Sequence, residues 1–300
     1  MDPATLSLPD LDSAAVVVPA PEPGPGNWAG GASAVAVDGT VWLTYRVRRP
    51  IAVGRGVSAI VARSHDGIRF ETVTEVHRDS FGAESFERPV ILRTPEGRWR
   101  LYLSCATPGS KHWWVECVEA ARPEDLAGGF RTVVWPGSAE VAVKDPVIRT
   151  DANRRWHAWV CEHPLTEPGH EDRMSTAYHS SDDGLSWRRH GTVLAPRPGR
   201  WDARGARVTD VLSLDPLVVL YDGRPRAEDN WFETTGTARS SSGSGPADVL
   251  MADDLEPTRS PLSDGAYRYA SSVRMPDGST RLYVEAARAD GAHDLVTVPL

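Results

Sequence analysis

Short runs of β-branched and aromatic residues recur along this chain between clusters of Gly, Pro, Asp and Ser, and no stretch sustains the 3.6-residue apolar period of an amphipathic helix. The runs themselves repeat. Five times, a β-branched strand is followed by a tight turn, a second strand rich in aromatics, and a polar loop. The second strands read Trp42–Arg46, Arg100–Cys105, His157–Glu162, Val218–Gly223 and Arg281–Ala286. Aligned on Leu43, Leu101, Ala158, Val219 and Leu282, they recur at steps of 58, 57, 61 and 63 residues. The strands before them are SAVAV, PVILR, DPVIRT, RVTDVL and YASSVRM. Turns such as Asp38-Gly39, Pro95-Glu96-Gly97 and Pro276-Asp277-Gly278 join them, Gly supplying the positive φ that tight hairpins require. More strand material follows each pair, as in SAIVARS before His65-Asp66-Gly67 and STAYHSS before Asp182-Asp183-Gly184. Four short strands per unit in five units predict an all-β chain, a single-domain five-bladed β-propeller. The blades are expected at residues 27–80, 81–138, 139–198, 199–258 and 259–300. The last runs out of chain, so Thr5–Val18 is expected to supply its outer strand and close the ring.

Composition sharpens this picture. The 26 glycines and 24 prolines of the 300 residues punctuate the hairpins, and most of the 11 tryptophans are expected between blades. A formal charge of −8 with no Lys/Arg run longer than two disfavours nucleic acid as a partner. No apolar stretch exceeds that at Ala14–Val18, far short of a membrane span, and the start MDPATLSLPD lacks the order of a signal peptide, so a cytoplasmic protein is expected. Cys105, Cys117 and Cys161 are odd in number and lack metal or redox spacing, which reads as buried free thiols in strands. No metal site and no organic cofactor is expected.

In a propeller the start of each first strand and the end of each second strand reach the same mouth. Sorting the polar residues by that rule gathers Trp28, Arg46, Glu87, Arg88, Lys144, Asp145, Glu162, Asp202, Arg204, Arg207, Tyr221, Asp222, Arg268 and Glu285 at one end, with the loop His112-Trp113-Trp114 beside them. Carboxylates and arginines crowded into a narrow channel are costly as mere mutual partners and are more usual in a site.

These residues resemble the five-bladed propeller glycoside hydrolases, the group of arabinanases, β-xylosidases and arabinofuranosidases, with fructosidases and mannoside phosphorylases as relatives. Val143-Lys144-Asp145-Pro146-Val147 is similar to the opening of the third blade in the arabinanase group, where the resemblance gives the Asp the task of tuning and orienting the acid. Phe86-Glu87-Arg88-Pro89-Val90-Ile91 is similar to the E-D-P-R motif of mannoside phosphorylases, with Arg88 in place of the Asp, and Tyr45-Arg46-Val47 and Ala62-Arg63-Ser64 are phosphorylase-like phrases. Ser180–Trp187 matches the Asp-box pattern S-x-D-x-G-x-[ST]-W of sialidases, a structural hairpin. Two departures stand out. Gly26–Ser33 holds no carboxylate where the arabinanase group opens its first blade with an Asp base, and Trp201–Arg207 offers Asp202 and two arginines where that group has a Glu acid.

Glycoside hydrolysis ordinarily needs an acid and a second carboxylate. Asp145 is the leading catalytic candidate, with Glu87, Asp202, Glu162 and Glu285 open as its partner. Trp28, Arg46, Arg88, His112, Trp113, Arg204, Arg207, Tyr221, Asp222 and Arg268 are the candidates for binding a substrate. Arginines from several blades point to an anionic ligand, because guanidinium forks onto carboxylate or phosphate. The expected partner is thus a small carbohydrate or anionic metabolite. Because the standard pair is broken, non-hydrolytic chemistry (phosphorolysis, cyclisation or elimination) or carbohydrate binding alone are the competing expectations.

Overall fold

The repeated turns fold each strand pair back on itself, and β-branched and aromatic residues fill both faces of the resulting sheets. The computed structural model describes residues 8–243, 245–252, 256–260 and 264–300; the expected strand residues Thr5–Ser7 lie outside them. Twenty strands and five short 3-10 turns, with no α-helix, make up the regular structure of the described residues. After β1 (Ala15–Val18) comes a first group of β2 (Trp28–Val37), β3 (Thr40–Arg48), β4 (Gly56–Ser64) and β5 (Glu71–His77). The second holds β6 (Val90–Arg93), β7 (Trp99–Ala106), β8 (Trp113–Ala120) and β9 (Phe130–Trp135), and the third β10 (Val141–Thr150), β11 (Trp156–Pro164), β12 (Ser175–Ser181) and β13 (Arg188–Leu194). The fourth holds β14 (Gly205–Leu214), β15 (Leu217–Arg224), β16 (Thr234–Ser240) and β17 (Leu250–Ala252). The last comprises β18 (Arg268–Arg274), β19 (Thr280–Ala287) and β20 (His293–Pro299). β1 pairs antiparallel with β20, Ala15 opposite Thr297 and Val16 opposite Val296, and so gives this group its fourth strand. Within every group the neighbours are antiparallel and sequential; one parallel bridge, Trp28 to His293, links the last group to the first.

Apolar layers separate the groups. Trp42 packs on Trp99 between the first and second (ring centroids 4.7 Å apart), and Trp135 on Trp187 between the second and third (4.7 Å). Trp159, Tyr178, Trp201 and Tyr221 fill the space between the third and fourth. Leu220 packs with Tyr267 and Leu282 between the fourth and last, and Leu43 and Tyr45 with Val273 and Tyr283 between the last and first. Each such side chain contributes roughly 1.5–3 kcal/mol by leaving water. The far ends of β2, β6, β10, β14 and β18, the first strand of each group, line a common cavity of about 820 Å³. The line through this cavity along these five strands is the axis to which the site is referred.

The hairpin read as an Asp box is present, with a shifted register. Ser181 Oγ accepts from the Asp183 and Gly184 N–H groups and Asp183 Oδ1 from those of Leu185 and Ser186, so Ser181 and Asp183 build the turn rather than Ser180 and Asp182. Ser64 and Asp66 build the same turn between β4 and β5. Among the described residues no helix is long and apolar enough to cross a membrane.

Candidate functional site

Opposite the 820 Å³ cavity, three of the five first strands carry a shared irregularity. Register breaks fall between Gly30 and Ser33 on β2, Lys144 and Val147 on β10, and Arg268 and Ser271 on β18. Gly31, Asp145 and Tyr269 take left-handed backbone there, with φ of 62°, 50° and 53°. A bulge re-aims a side chain, and a left-handed aromatic such as Tyr269 persists only where its surroundings over-determine it. These bulges turn Asp145 and Tyr269 toward the axis.

An ion network drawn from all five groups meets them. Arg46, at the end of β3, pairs with Glu87 and with Glu285 (3.4 Å). Arg207 reaches Asp145 (3.2 Å), Asp222 (3.1 Å) and the Tyr269 hydroxyl (2.9 Å). Arg268 joins Glu233 to Glu285, and Arg224 donates to Glu233 (2.9 Å). The Tyr269 hydroxyl is shared, lying 3.2 Å from Asp145 Oδ2 and 3.3 Å from Glu87 Oε2, so one phenol spans the two carboxylates. Asp145 also accepts from the Arg88 backbone N–H (3.1 Å). All these side chains are buried, and Glu87, at 9 % exposure, is the carboxylate of the network nearest solvent.

Charge balance decides protonation. Burial alone would raise the Asp145 carboxyl, but Lys144, Arg207 and Arg46 outweigh it and hold its pKa at about 2. Arg268, Arg207 and Arg224 likewise overcome burial at Glu233, whose pKa is about 2, and Arg268, His293 and Arg46 keep Glu285 well below the carboxylate range. Asp222 goes the other way, because burial there exceeds the pull of Arg207. Asp145, Glu233 and Glu285 are therefore anions at neutral pH, suited to orienting cations and accepting hydrogen bonds.

Several other predicted residues point elsewhere. Glu162 lies on the face of β11 turned from the axis, held by the Arg189 fork (2.7 and 2.8 Å), while its neighbour Cys161 faces inward near Asp145. Asp202 bonds Arg197 (2.7 Å) and the Tyr221 hydroxyl (3.0 Å), and Tyr221 stacks on Trp201 in the layer between groups. The Arg88 side chain turns down the axis onto the carbonyls of Ala32 (3.0 Å) and Thr209 (2.5 Å). Arg204 forks onto Asp172, and His112 bonds Thr107 within its own loop. Trp28 stacks on His293 (4.3 Å), whereas Trp113 stays at the mouth, beneath Arg55 and Lys144. Residues that the sorting by strand ends missed include Arg48, Arg55, Trp231 and Glu233. They sit at or in the connections from second to third strand, which also return from the mouth. No group of three or more His, Cys, Asp or Glu among the described residues is arranged to hold a metal.

With this geometry in hand, solved structures supply a comparison. A thermostable family-43 glycoside hydrolase superposes with a TM-score of 0.73 over 95 % of this chain and 91 % of its own, at 13 % identity. An α-L-arabinofuranosidase from Lactobacillus brevis gives 0.68 over 90 % of both chains at 13 % identity, and a β-1,2-mannobiose phosphorylase from Listeria innocua 0.64 over 91 % and 89 % at 17 %. The chain shares the fold of glycoside hydrolases and mannoside phosphorylases. No protein-family model matches its sequence, and no curated protein does.

Proposed function

We propose that the chain is a single closed five-bladed propeller, with blades at 27–80, 81–138, 139–198, 199–258 and 259–300, the last completed by the N-terminal strand, and that it acts at the glycosyl bond of a small carbohydrate. The observation that carries this reading is the pair Glu87 and Asp145, joined through Tyr269 at the axis of a fold used by glycosidases. Glycosidases place two carboxyl groups roughly 5–10 Å apart. Glu87, on the solvent side, is the group proposed to exchange a proton with the substrate, and Asp145 the fixed anion that orients it through the Tyr269 hydroxyl, which Arg207 also holds. Substrate enters over Glu87, beside Trp113.

One observation favours a second reading. Guanidiniums hold Asp145, Glu233 and Glu285 ionised and weakly basic, which leaves them poor at activating water and suits phosphorolysis, where phosphate is itself the nucleophile, another non-hydrolytic reaction, or binding of an anionic metabolite. The test is to assay the purified chain on nitrophenyl glycosides and oligosaccharides with and without phosphate, beside Asp145→Asn. Turnover lost in the variant supports the enzyme reading, and dependence on phosphate selects phosphorolysis. Ligand-induced thermal stabilisation without turnover selects binding, and equal turnover in both proteins removes Asp145 from the mechanism.

A further inference from the structure

Most arginines expected to grip a ligand already have partners. Arg46, Arg204, Arg207 and Arg268 each pair with a carboxylate, and Arg88 with two carbonyls. Three cations of the upper layer differ. Arg48, only 3 % exposed, donates to the Gly26 carbonyl (3.3 Å) and otherwise lies against the rings of Trp28 (3.9 Å) and Trp231 (4.8 Å). Arg55, 31 % exposed, stays 3.8 Å from its nearest carboxylate oxygen, on Glu87, and 5.6 Å from the centre of Trp113. Lys144, 11 % exposed, is 3.6 Å from Asp145 Oδ2 and 5.0 Å from the centre of Trp113. Among the described residues none of the three donates a hydrogen bond to a carboxylate, in contrast to the layer below.

Like charge surrounds them. Burial draws the Arg48 pKa down to about 9, and Arg46 and Arg268 add to the effect; burial and then Arg46 lower Arg55. Burial lowers Lys144, where Arg207 and Arg55 oppose the help it has from Asp145. A desolvated cation whose counter-ion stays beyond hydrogen-bond reach is poorly compensated, and a ligand that brings an anion into contact recovers the difference. We propose that Arg48, Arg55 and Lys144 form an oxyanion receptor at the mouth that holds a carboxylate or phosphate group carried by the sugar substrate. Its geometry fits that chemistry: two planar forks and one point charge, with Trp113 and Trp231 as walls for the ring. The substrate class is therefore an acidic or phosphorylated sugar. This assignment rests on the mouth being the site of the proposed function.

Calorimetric titration of the full chain with glucuronate, glucose 6-phosphate, inorganic phosphate and glucose tests it. At least one anionic sugar should bind at least about tenfold more tightly than glucose, more weakly as salt is raised, and Arg55→Gln and Lys144→Gln should each lose about tenfold or more in affinity while melting near the wild-type temperature. Inorganic phosphate binding as tightly as the sugar phosphate, and losing affinity in the same variants, supports the receptor and makes free phosphate the source of the anion. Failure of every anion to bind, or binding that survives in the double variant, overturns the proposal. The two readings fail separately. Turnover of neutral glycosides without anion affinity removes the receptor alone, and anion binding without any turnover removes the enzyme reading alone.

Discussion

Arg88→Met removes a strut from the axis while keeping an aliphatic stem. The Arg88 guanidinium, 2 % exposed, joins the Ala32 carbonyl of β2 (3.0 Å) to the Thr209 carbonyl of β14 (2.5 Å). Without it two carbonyls lose a charged donor where water is scarce. Hydrogen bonds to charged groups contribute roughly 1.5–3 kcal/mol each, which sets a gross loss of about 3–6 kcal/mol. Desolvation works against the native arginine, since burial draws its pKa down to about 10 despite Asp210 and Asp145, and methionine escapes that cost. The net loss should be about 3 kcal/mol. At roughly 2–4 °C per kcal/mol for a chain of this size class, the melting temperature should fall by about 6–12 °C. Urea unfolding followed by circular dichroism reads the same loss as a lower midpoint at unchanged slope. Affinity for a sugar ligand should stay within about twofold of wild type. An unchanged midpoint with a tenfold or greater loss of ligand affinity would refute this reasoning and return Arg88 to the substrate.

Three further outcomes follow from the same contacts. In Gly30→Ala the new Cβ would lie 1.9 Å from Glu285 Oε2 and 2.5 Å from its Cγ and Cδ, and Glu285 is held by Arg46, Arg268 and His293; a loss of about 2–3 kcal/mol is expected, and a wild-type unfolding midpoint would contradict the packing. Asp145 and Glu233, with folded pKa values of about 2, release protons that the unfolded chain still binds between about pH 4.5 and 2. Stability should therefore fall through that window as pH drops, by roughly 5 kcal/mol, partly offset by Asp222, whose shift is opposite in sign; a flat stability profile would contradict the network. The three buried thiols, with Cys117 and Cys161 raised to about 12 by burial and Cys105 also raised, should resist a disulfide reagent in the native state and react in urea, and rapid native labelling of any one would contradict their placement.

Period and turn chemistry made the strand pairs legible, because a half-buried strand and a glycine turn leave local marks. All five aromatic-rich second strands, from Trp42–Arg46 to Arg281–Ala286, fall within observed strands. The site was legible only as a neighbourhood. Side chains alternate faces along a strand, so Asp222 reaches the axis while Tyr221 enters an apolar layer, and Glu162 and Glu285, both near second-strand ends, point to opposite sides. Bulges shift that alternation without a sequence signal of their own: nothing in Tyr267-Arg268-Tyr269 says that the second tyrosine takes left-handed backbone and carries the shared hydroxyl. Partnership is also non-local. Arg48 and Arg46 look equivalent in sequence, yet among the described residues Arg46 meets two carboxylates and Arg48 only indoles and a carbonyl.

The central claim is that Glu87 and Asp145 act together at the mouth on a glycosyl bond. Its most direct test is kcat/KM of the wild type, Glu87→Gln and Asp145→Asn on the best glycoside found in the panel, with circular dichroism confirming that both variants fold. Each variant should lose about 100-fold or more, the scale of a positioned acid–base group. Wild-type kcat/KM in folded Glu87→Gln would contradict the account.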